Sequence, residues 1–211
     1  MLKQETIGMS LNKIGITGTI GSGKSVLSAY LLGWDYMVID ADEVGRYLVE
    51  PGSELLNKID EAFAETVLEE DGSLNREKLG EIIFADEKKR EKLNSIMHPA
   101  IVKSILQMLD DRKGTIFIEM PLLFENRKAL EEEGLRFDEV WLVDADPDVR
   151  IKRLMARDKI DEAYAKQKIA SQMPAEEKRA LADKIFENSG DLMALYAQVD
   201  KALEELRGEE V

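Results

Sequence analysis

The chain is predicted to be an α/β protein with a parallel sheet, and three features of its sequence support this. Short runs rich in β-branched and apolar residues alternate with stretches of helical periodicity, as in strands joined by crossover helices. A glycine-rich turn at residues 18–25 joins the first such run to the first helical stretch. The 211 residues are 44% hydrophobic, which is enough for one domain with a buried core and inserted lobes.

Five runs are typical of buried strands, and helical stretches separate them. The strands are predicted at residues 13–17, 36–39, 115–119, 140–144 and 184–188. We predict helices over 26–32, over 43–49 and, at the end of the chain, over 192–206. Pro147 lies where the first turn of a helix accepts proline. Residues 121–125 are expected to form an apolar loop after the third strand.

The region from 53 to 113 carries no strong strand signal and is predicted to be helical throughout. Ser53 is a candidate N-cap for its first helix. His98 precedes Pro99, so we expect it outside helical conformation, at the start of a helix over 101–109. A long helical insertion between strands of an α/β core suggests a lobe on the substrate side.

Composition excludes several kinds of site and partner. The absence of cysteine excludes disulfides and thiol chemistry, and a single histidine excludes a cluster of histidine ligands. No run is apolar enough to span a membrane, and residues 1–12 lack the apolar segment of a signal peptide. We therefore expect a soluble, cytoplasmic protein with an N-terminal extension. The net charge of −14 repels nucleic acid and anionic lipid, so a nucleotide site has to supply its own positive charge.

The glycine-rich turn fits the phosphate-binding pattern G-x-x-x-x-G-K-[ST]. Its residues are Gly18, Thr19, Ile20, Gly21, Ser22, Gly23, Lys24 and Ser25. Glycines let successive N–H groups point at one anion, and the helix start that follows adds further donors. Lys24 can reach the β- and γ-phosphates of a nucleotide, and the Ser25 hydroxyl can bind Mg²⁺. The alternative is a chance match in an ordinary turn, which the strand before it and the helix after it disfavour.

Carboxylates follow the predicted strands, at the edge where open parallel sheets bind ligands. They are Asp40, Asp42, Glu119 and Asp144. A carboxylate there can orient a water on Mg²⁺ or take a proton from an attacking hydroxyl, but aspartate also caps helix N-termini. We interpret Asp42 as the proton acceptor and Asp40 as the residue that holds a Mg²⁺ water. Asp144 is interpreted as a cap or a structural residue.

One helical face after Pro147 carries three arginines at i, i+3 and i+7, namely Arg150, Arg153 and Arg157. Guanidinium groups match phosphate oxygens, so this face is a candidate phosphate-binding surface in an acidic chain. The alternative is a solvated face balanced by the aspartates at 146, 148 and 158. The single histidine, His98, is on its own more often structural than functional.

Two short matches to GTPase motifs are interpreted as chance. Residues 42–45 read D-x-x-G, and residues 57–60 read N-K-x-D. A guanine-reading N-K-x-D ends a buried strand late in a chain, whereas this one lies inside an amphipathic helical pattern soon after the loop. A guanine-nucleotide switch is therefore not expected.

Together these motifs make the chain resemble the dephospho-coenzyme A kinase family, P-loop kinases of the nucleoside-monophosphate-kinase type, from Lys13 to about Leu206. The residues that carry the resemblance are the loop at 17–25, Asp40-Ala41-Asp42, Arg46, Pro51-Gly52, Asp71-Gly72, Leu74-Asn75-Arg76, Leu79, Phe84, His98-Pro99, Pro121-Leu122-Leu123-Phe124-Glu125, Arg153, Arg157, Gln172, Ala182-Asp183 and Asn188. Many ATPases and GTPases share the loop. The D-A-D, H-P and P-L-L-F-E elements together are specific to this family.

The resemblance implies a three-layer P-loop fold with a parallel sheet, a helical substrate-binding lobe and a helical lid. Its parts would be a nucleotide-binding core at 13–51, 114–149 and 181–207, a CoA-binding lobe at 52–113 and a lid at 150–180. The implied activity is ATP-dependent phosphorylation of the ribose 3′-hydroxyl of dephospho-CoA, the final step of coenzyme A synthesis. The implied partners are ATP, Mg²⁺ and dephospho-CoA, for a monomer or weak homo-oligomer.

The resemblance also implies roles for single residues. The catalytic residues would be Asp42 as general base, Lys24 and Arg153. The nucleotide would contact residues 18–25, Arg157 and, on the adenine side, Asn188. Mg²⁺ would be held by Ser25 and, through water, by Asp40. Dephospho-CoA would contact Asp42, Arg46, His98, Pro121 and Leu122.

Two alternatives stay open at this point. One is a kinase of the same architecture that phosphorylates another small-molecule hydroxyl. The other is an ATP-binding regulator or switch without a small-molecule acceptor, which the helical insertion and the D-A-D pair disfavour.

Overall fold

A computed structural model of the chain describes residues 10–209 and confirms an α/β fold built on a five-stranded sheet. The strands are β1 (Leu11–Gly18), β2 (Met37–Asp40), β3 (Gly114–Glu119), β4 (Glu139–Asp144) and β5 (Lys184–Glu187). Their order in the sheet is β2-β3-β1-β4-β5, so β1 is central. The pairs β1–β3, β1–β4 and β4–β5 are parallel, with Ile16 of β1 opposite Glu119 on one side and Trp141 on the other.

Helices connect these strands. They are α1 (Lys24–Gly33), α2 (Ala41–Leu48), α3 (Glu54–Ala62), α4 (Arg76–Ala85), α5 (Glu87–Leu109), α6 (Leu123–Glu132), α7 (Pro147–Asp158), α8 (Glu162–Ala170), α9 (Ala175–Leu181) and α10 (Leu192–Glu209). Two of their starts confirm local expectations. The Ser53 hydroxyl accepts a hydrogen bond from the Leu56 N–H at 3.2 Å, and Pro147 is in the first turn of α7. Within residues 10–209, none of these helices has the length and apolar character needed to cross a bilayer.

The chain divides into two compact units. Of the described residues, the first unit contains 10–39, 112–128 and 136–209, and therefore all of the sheet apart from Asp40. The second unit contains Asp40–Asp111 and Ala129–Leu135, and is helical. Helix α6 runs from the first unit into the second.

In the core of the first unit, successive residues of β1 point to opposite faces of the sheet. Ile14 and Ile16 of β1 are fully buried against α1 and α10, in a cluster that includes Leu27 of α1. Gly15 points to the opposite face of the sheet. An added Cβ there would lie 2.5 Å from the Leu123 side chain, so glycine is what lets the start of α6 approach the strand.

The second unit is organised around α5, a 23-residue helix that packs against α2, α3 and α4. A separate apolar cluster of this unit includes Leu56 and Ile59 of α3 and Leu79 of α4. The matches to GTPase motifs lie in α2 and α3, as helical residues, which agrees with their interpretation as chance.

Helix α5 contradicts the expectation for His98. The helix continues through His98 and Pro99, so His98 is neither outside helical conformation nor at a helix start. A proline inside a helix removes one backbone hydrogen bond and costs about 3 kcal/mol. Packing of α5 against three other helices along its length offsets this, which a local rule cannot register.

Smaller differences concern element boundaries. β1 begins at Leu11, two residues earlier than predicted, and residues 1–9 of the expected extension lie outside the described residues. Helix α2 begins at Ala41 rather than at 43, so Asp42 is in its first turn. The loop expected at 121–125 is shorter, because α6 already begins at Leu123.

Candidate active site

The glycine-rich turn forms a compact loop between β1 and α1. Gly21 and Gly23 have φ of 79° and 89°, the left-handed region that favours glycine. An added Cβ at Gly21 would lie 2.9 Å from the Arg150 carbonyl oxygen, and one at Gly23 would collide with the Asn188 amide. Both glycines are therefore required by backbone conformation and by space.

The start of α1 offers an anion-binding surface. Gly23 is the N-cap, and no side chain caps the helix there. The first N–H groups of a helix, here including those of Lys24 and Ser25, have no acceptor within the helix, and they carry the positive end of its dipole. The Ser25 side chain is exposed at this first turn, where a metal ion can reach its hydroxyl. This geometry fits a bound phosphate chain with its cation.

Lys24 is paired with Glu119. Its Nζ donates a hydrogen bond to Glu119 Oε1, and Glu119 is the last residue of β3, only 5% exposed. Because β3 lies next to β1, the strand-end carboxylate meets the loop lysine directly. Sequence reasoning singled out Glu119 as a strand-end carboxylate but did not connect it to Lys24.

The Ser22 carbonyl of the loop is held by two side chains from later in the chain. Asn188 Nδ2 donates to it at 2.6 Å, and Arg153 Nη1 donates to it at 3.1 Å. Asn188 is only 1% exposed, and its backbone N–H donates to the Asp144 carbonyl at 2.8 Å. The structure thus brings Arg153 and Asn188, both predicted site residues, onto the backbone of the loop.

The three arginines of α7 have different surroundings. Arg150 is buried, Arg153 contacts the loop, and Arg157 is exposed and donates to Asp158 at 2.7 Å. The hydrogen bond from Arg157, followed by one from Lys168, lowers the pKa of Asp158, and the same hydrogen bond raises the pKa of Arg157. Arg157 thus has an aspartate partner, which the alternative of a solvated face expects, whereas Arg153 is the arginine that reaches the loop.

Helix α9, which lies almost entirely in the segment predicted as a lid, is anchored by three ion pairs. Lys178 is fully buried, with its Nζ 2.9 Å from Glu125 Oε1. Arg179 Nη1 donates to Asp144 Oδ2 at 2.9 Å and to Glu187 Oε1 at 2.6 Å. The sequence analysis did not find these pairs, because they depend on where α9 packs against the ends of β4 and β5 and against Glu125.

In the second unit, Asp40 is the N-cap of α2. Its Oδ1 accepts hydrogen bonds from the Asp42 N–H at 2.8 Å and from the Glu43 N–H at 3.2 Å, so the capping alternative is confirmed for Asp40. Asp42 is exposed in the first turn of this helix. Arg46 is exposed one turn later, and its Nη2 lies 3.9 Å from Glu43 Oε1. The structure thus places Asp40 and Asp42 at the start of the short helix α2 and Arg46 in its last turn.

His98 borders a cavity of about 270 Å³ formed by residues of α5 and of the segment from 129 to 133. Burial lowers the pKa of its imidazole. Pro121 and Leu122, which are also expected to contact dephospho-CoA, belong to the first unit. The Pro121 carbonyl accepts a hydrogen bond from the Thr17 hydroxyl at 3.1 Å, and Leu122 is 40% exposed.

Comparison with known proteins identifies the family. The family model for dephospho-CoA kinase matches residues 12–194. The dephospho-CoA kinase of Shouchella clausii is 42% identical over 195 residues, which cover 90% of this chain and 96% of that protein. The dephospho-CoA kinase domain-containing protein of Danio rerio is 42% identical over 191 residues, which cover 88% of this chain and 81% of that protein.

Solved structures agree with this assignment. The protein TT1252 from Thermus thermophilus superposes with a TM-score of 0.79 at 33% identity, covering 93% of this chain and 98% of that one. Dephospho-CoA kinase from Campylobacter jejuni superposes with a TM-score of 0.62 at 26% identity, covering 93% and 97%. The chain therefore belongs to the dephospho-CoA kinase family, and it is an ATP-dependent kinase of coenzyme A biosynthesis.

Proposed function

We propose that the chain transfers the γ-phosphoryl group of ATP to the ribose 3′-hydroxyl of dephospho-CoA, giving CoA and ADP. The observation that carries the proposal is the phosphate loop of a family member, with left-handed glycines, an uncapped start of α1 and Lys24 beside it. In phosphoryl transfer the protein mainly positions the reactants and stabilises charge, and these groups supply both.

On the ATP side, the loop N–H groups and Lys24 bind the β- and γ-phosphates. Lys24 exchanges its contact with Glu119 for the phosphate oxygens, where charge develops as the bond to the leaving ADP breaks. Arg153 and Arg157 act from the lid, with Arg153 moving from the Ser22 carbonyl to the transferred phosphoryl group.

The residues present fit a magnesium ion. The exposed Ser25 hydroxyl at the start of α1 would bind it directly, and Asp40 would hold one of its waters. Since Asp40 Oδ1 already caps α2, only its other oxygen is available for that water. A magnesium ion held there would neutralise part of the negative charge of the triphosphate.

On the acceptor side, Asp42 orients the 3′-hydroxyl and accepts its proton late in the transfer. Its exposure at the start of α2 leaves the carboxylate accessible to a substrate hydroxyl. Arg46, His98, Pro121 and Leu122 are the proposed contacts to dephospho-CoA, and Asn188 lies on the adenine side of ATP.

The wider setting follows from charge. We propose a cytoplasmic enzyme that acts as a monomer or weak homo-oligomer, without nucleic acid or membrane partners. The net charge of −14 supports the expected lack of nucleic acid and membrane partners, because such a surface repels polyanions and anionic lipid.

An acceptor panel tests the proposed reaction. The full chain, ATP and Mg²⁺ are mixed with dephospho-CoA, its 3′-deoxy analogue, adenosine, shikimate or no acceptor, and ADP release is followed. We expect release only with dephospho-CoA, with CoA identified by mass. The 3′-deoxy analogue is the matched control, because it lacks only the attacking oxygen. Higher kcat/KM with another acceptor, or equal ADP release without one, would replace this function by one of the two alternatives.

A further inference from the structure

Asp144 is a buried carboxylate that contacts the phosphate loop from behind. It ends β4, and its residue is 6% exposed. Its Oδ1 accepts hydrogen bonds from the Thr19 hydroxyl at 2.8 Å and from the Ala145 N–H at 2.9 Å. Its Oδ2 accepts from Arg179 Nη1 at 2.9 Å. Both carboxylate oxygens are thus engaged, and neither faces solvent to any large extent.

The end of β4 is connected to the loop at two places, Thr19 near its start and Ser22 near its end. Thr19 donates through its hydroxyl to Asp144 and through its N–H to the Val143 carbonyl at 3.3 Å. At Ser22 the connection runs through Asn188, whose backbone N–H donates to the Asp144 carbonyl and whose side-chain amide donates to the Ser22 carbonyl. A glycine-rich loop has few side chains of its own to fix it, so its conformation depends on these outer contacts.

Arg179 is the counter-charge of this arrangement. A buried carboxylate is tolerated only when it is paired and hydrogen-bonded, and the pair with Arg179 meets that requirement. Arg179 also binds Glu187 at 2.6 Å, so one guanidinium joins α9 to the ends of β4 and β5. Although Arg179 lies in the segment expected to be a lid, these contacts attach it to the sheet of the first unit.

We propose that Asp144 and Arg179 are positioning residues for ATP, which hold the phosphate loop in the conformation that receives the triphosphate. They act through Thr19 and the loop backbone and do not touch the nucleotide. The proposal rests on the proposed function only in that the loop binds ATP, and it does not depend on which acceptor is phosphorylated.

The first test is the substitution Arg179→Gln. Because the Arg179 side chain is partly exposed, we expect this variant to fold. We expect KM for ATP to rise about tenfold, as for loss of a hydrogen bond between charged groups, with KM for dephospho-CoA within about twofold of the parent. Arg179→Lys, which keeps the charge, should recover part of the loss. Lys13→Gln is the matched control, because its pair with Asp138 lies outside the lid and outside the contacts of the loop, and it should leave both constants unchanged.

The second test asks whether Asp144 acts through Thr19. Binding of a non-hydrolysable ATP analogue is measured by calorimetry for Asp144→Asn, Thr19→Val and the double variant. If the carboxylate works through the hydroxyl, the double variant loses little more affinity than the weaker-binding single variant. Additive losses would overturn the proposal, as would an Arg179→Gln variant that lowers the melting temperature but leaves ATP affinity unchanged. Binding of the ATP analogue does not require dephospho-CoA. The result can therefore be interpreted even if the proposed reaction does not occur.

Discussion

The phosphate loop and the residues proposed for the acceptor differ in how much of their position the protein itself fixes. The Thr19 hydroxyl and the Ser22 carbonyl of the loop have partners at the end of β4, on α7 and just after β5, where Asn188 is 1% exposed. Asp42 and Arg46 are exposed on α2, and His98 is half-buried on α5. The ATP side is therefore built before the substrate arrives, whereas side chains of the acceptor side still have to be ordered by it.

The difference has a physical reason. Glycines at left-handed φ gain flexibility in the unfolded chain, so the loop needs outer contacts to keep one conformation. The proposed acceptor residues Asp42, Arg46 and His98 lie on helices, whose backbones are fixed by regular hydrogen bonds and, at Asp42, also by the Asp40 cap. The exposed Arg46 side chain retains much of its rotamer freedom, and that entropy is lost only when a ligand binds.

The largest expected effect is on the ATP side. Lys24→Ala removes the charge that we propose stabilises the transferred phosphoryl group, and such a contact typically contributes about 3 kcal/mol, near a hundredfold or more in rate. Activity should fall far more than the melting temperature, measured by steady-state kinetics and thermal unfolding. Lys13→Ala is the control, since Lys13 pairs only with Asp138 on the surface, at 3.5 Å. Unchanged turnover of Lys24→Ala would remove the loop from the mechanism.

The next effect separates the two aspartates of α2. Asp42→Asn should lower kcat on the order of a hundredfold with both KM values nearly intact, because a general base acts in the transition state. Asp40→Asn should instead shift the Mg²⁺ dependence of the rate. Both are measured across a Mg²⁺ titration, with Glu43→Gln of the same helical turn as control. Near-normal kcat in Asp42→Asn, or a loss in Asp40→Asn that is independent of Mg²⁺, would reverse the assignment.

A third variant tests whether the loop is held by its surroundings. Gly23→Ala places a Cβ at left-handed φ, which costs about 1–2 kcal/mol, and against the Asn188 amide. Gly72→Ala has the same strain, at φ of 80°, but nothing within 4 Å of the added Cβ. Urea unfolding should show the larger loss for Gly23→Ala, and only that variant should weaken binding of an ATP analogue. Equal losses would mean that the space around Gly23 is unimportant.

The smallest effect concerns His98. Because burial lowers its pKa, the unfolded chain takes up the proton first as the pH falls. Stability should therefore decrease as the pH drops through about 6.5, the unperturbed value for histidine. His98→Gln should remove this part of the pH dependence of the free energy of unfolding between pH 7.5 and 5. Since the chain has one histidine, an identical slope in both proteins would show that burial of His98 has no energetic consequence.

Features that depend on neighbouring residues in the chain could be predicted from the sequence, whereas contacts between distant residues could not. The loop, the Ser53 cap and the Pro147 helix start are local, and the structure confirms them. The pairing of Lys24 with Glu119 requires knowing that β3 lies beside β1, which no local pattern contains. The contact between Asp144 and Arg179 likewise depends on where α9 packs. His98 was misplaced for the opposite reason, since tertiary packing of α5 outweighs the local preference before proline.

The most direct test of the contrast between a built ATP side and an acceptor side ordered by ligand is hydrogen exchange along the whole chain. The free protein is compared with the complex containing a non-hydrolysable ATP analogue and dephospho-CoA. The account predicts gained protection in α2 and in residues 150–173, where Asp42, Arg153 and Arg157 lie. It predicts little change in β1 and α9, which the buried Lys178 and the Asp144–Arg179 pair already hold. Protection gained mainly in β1 and α9, with α2 and residues 150–173 unchanged, would contradict it.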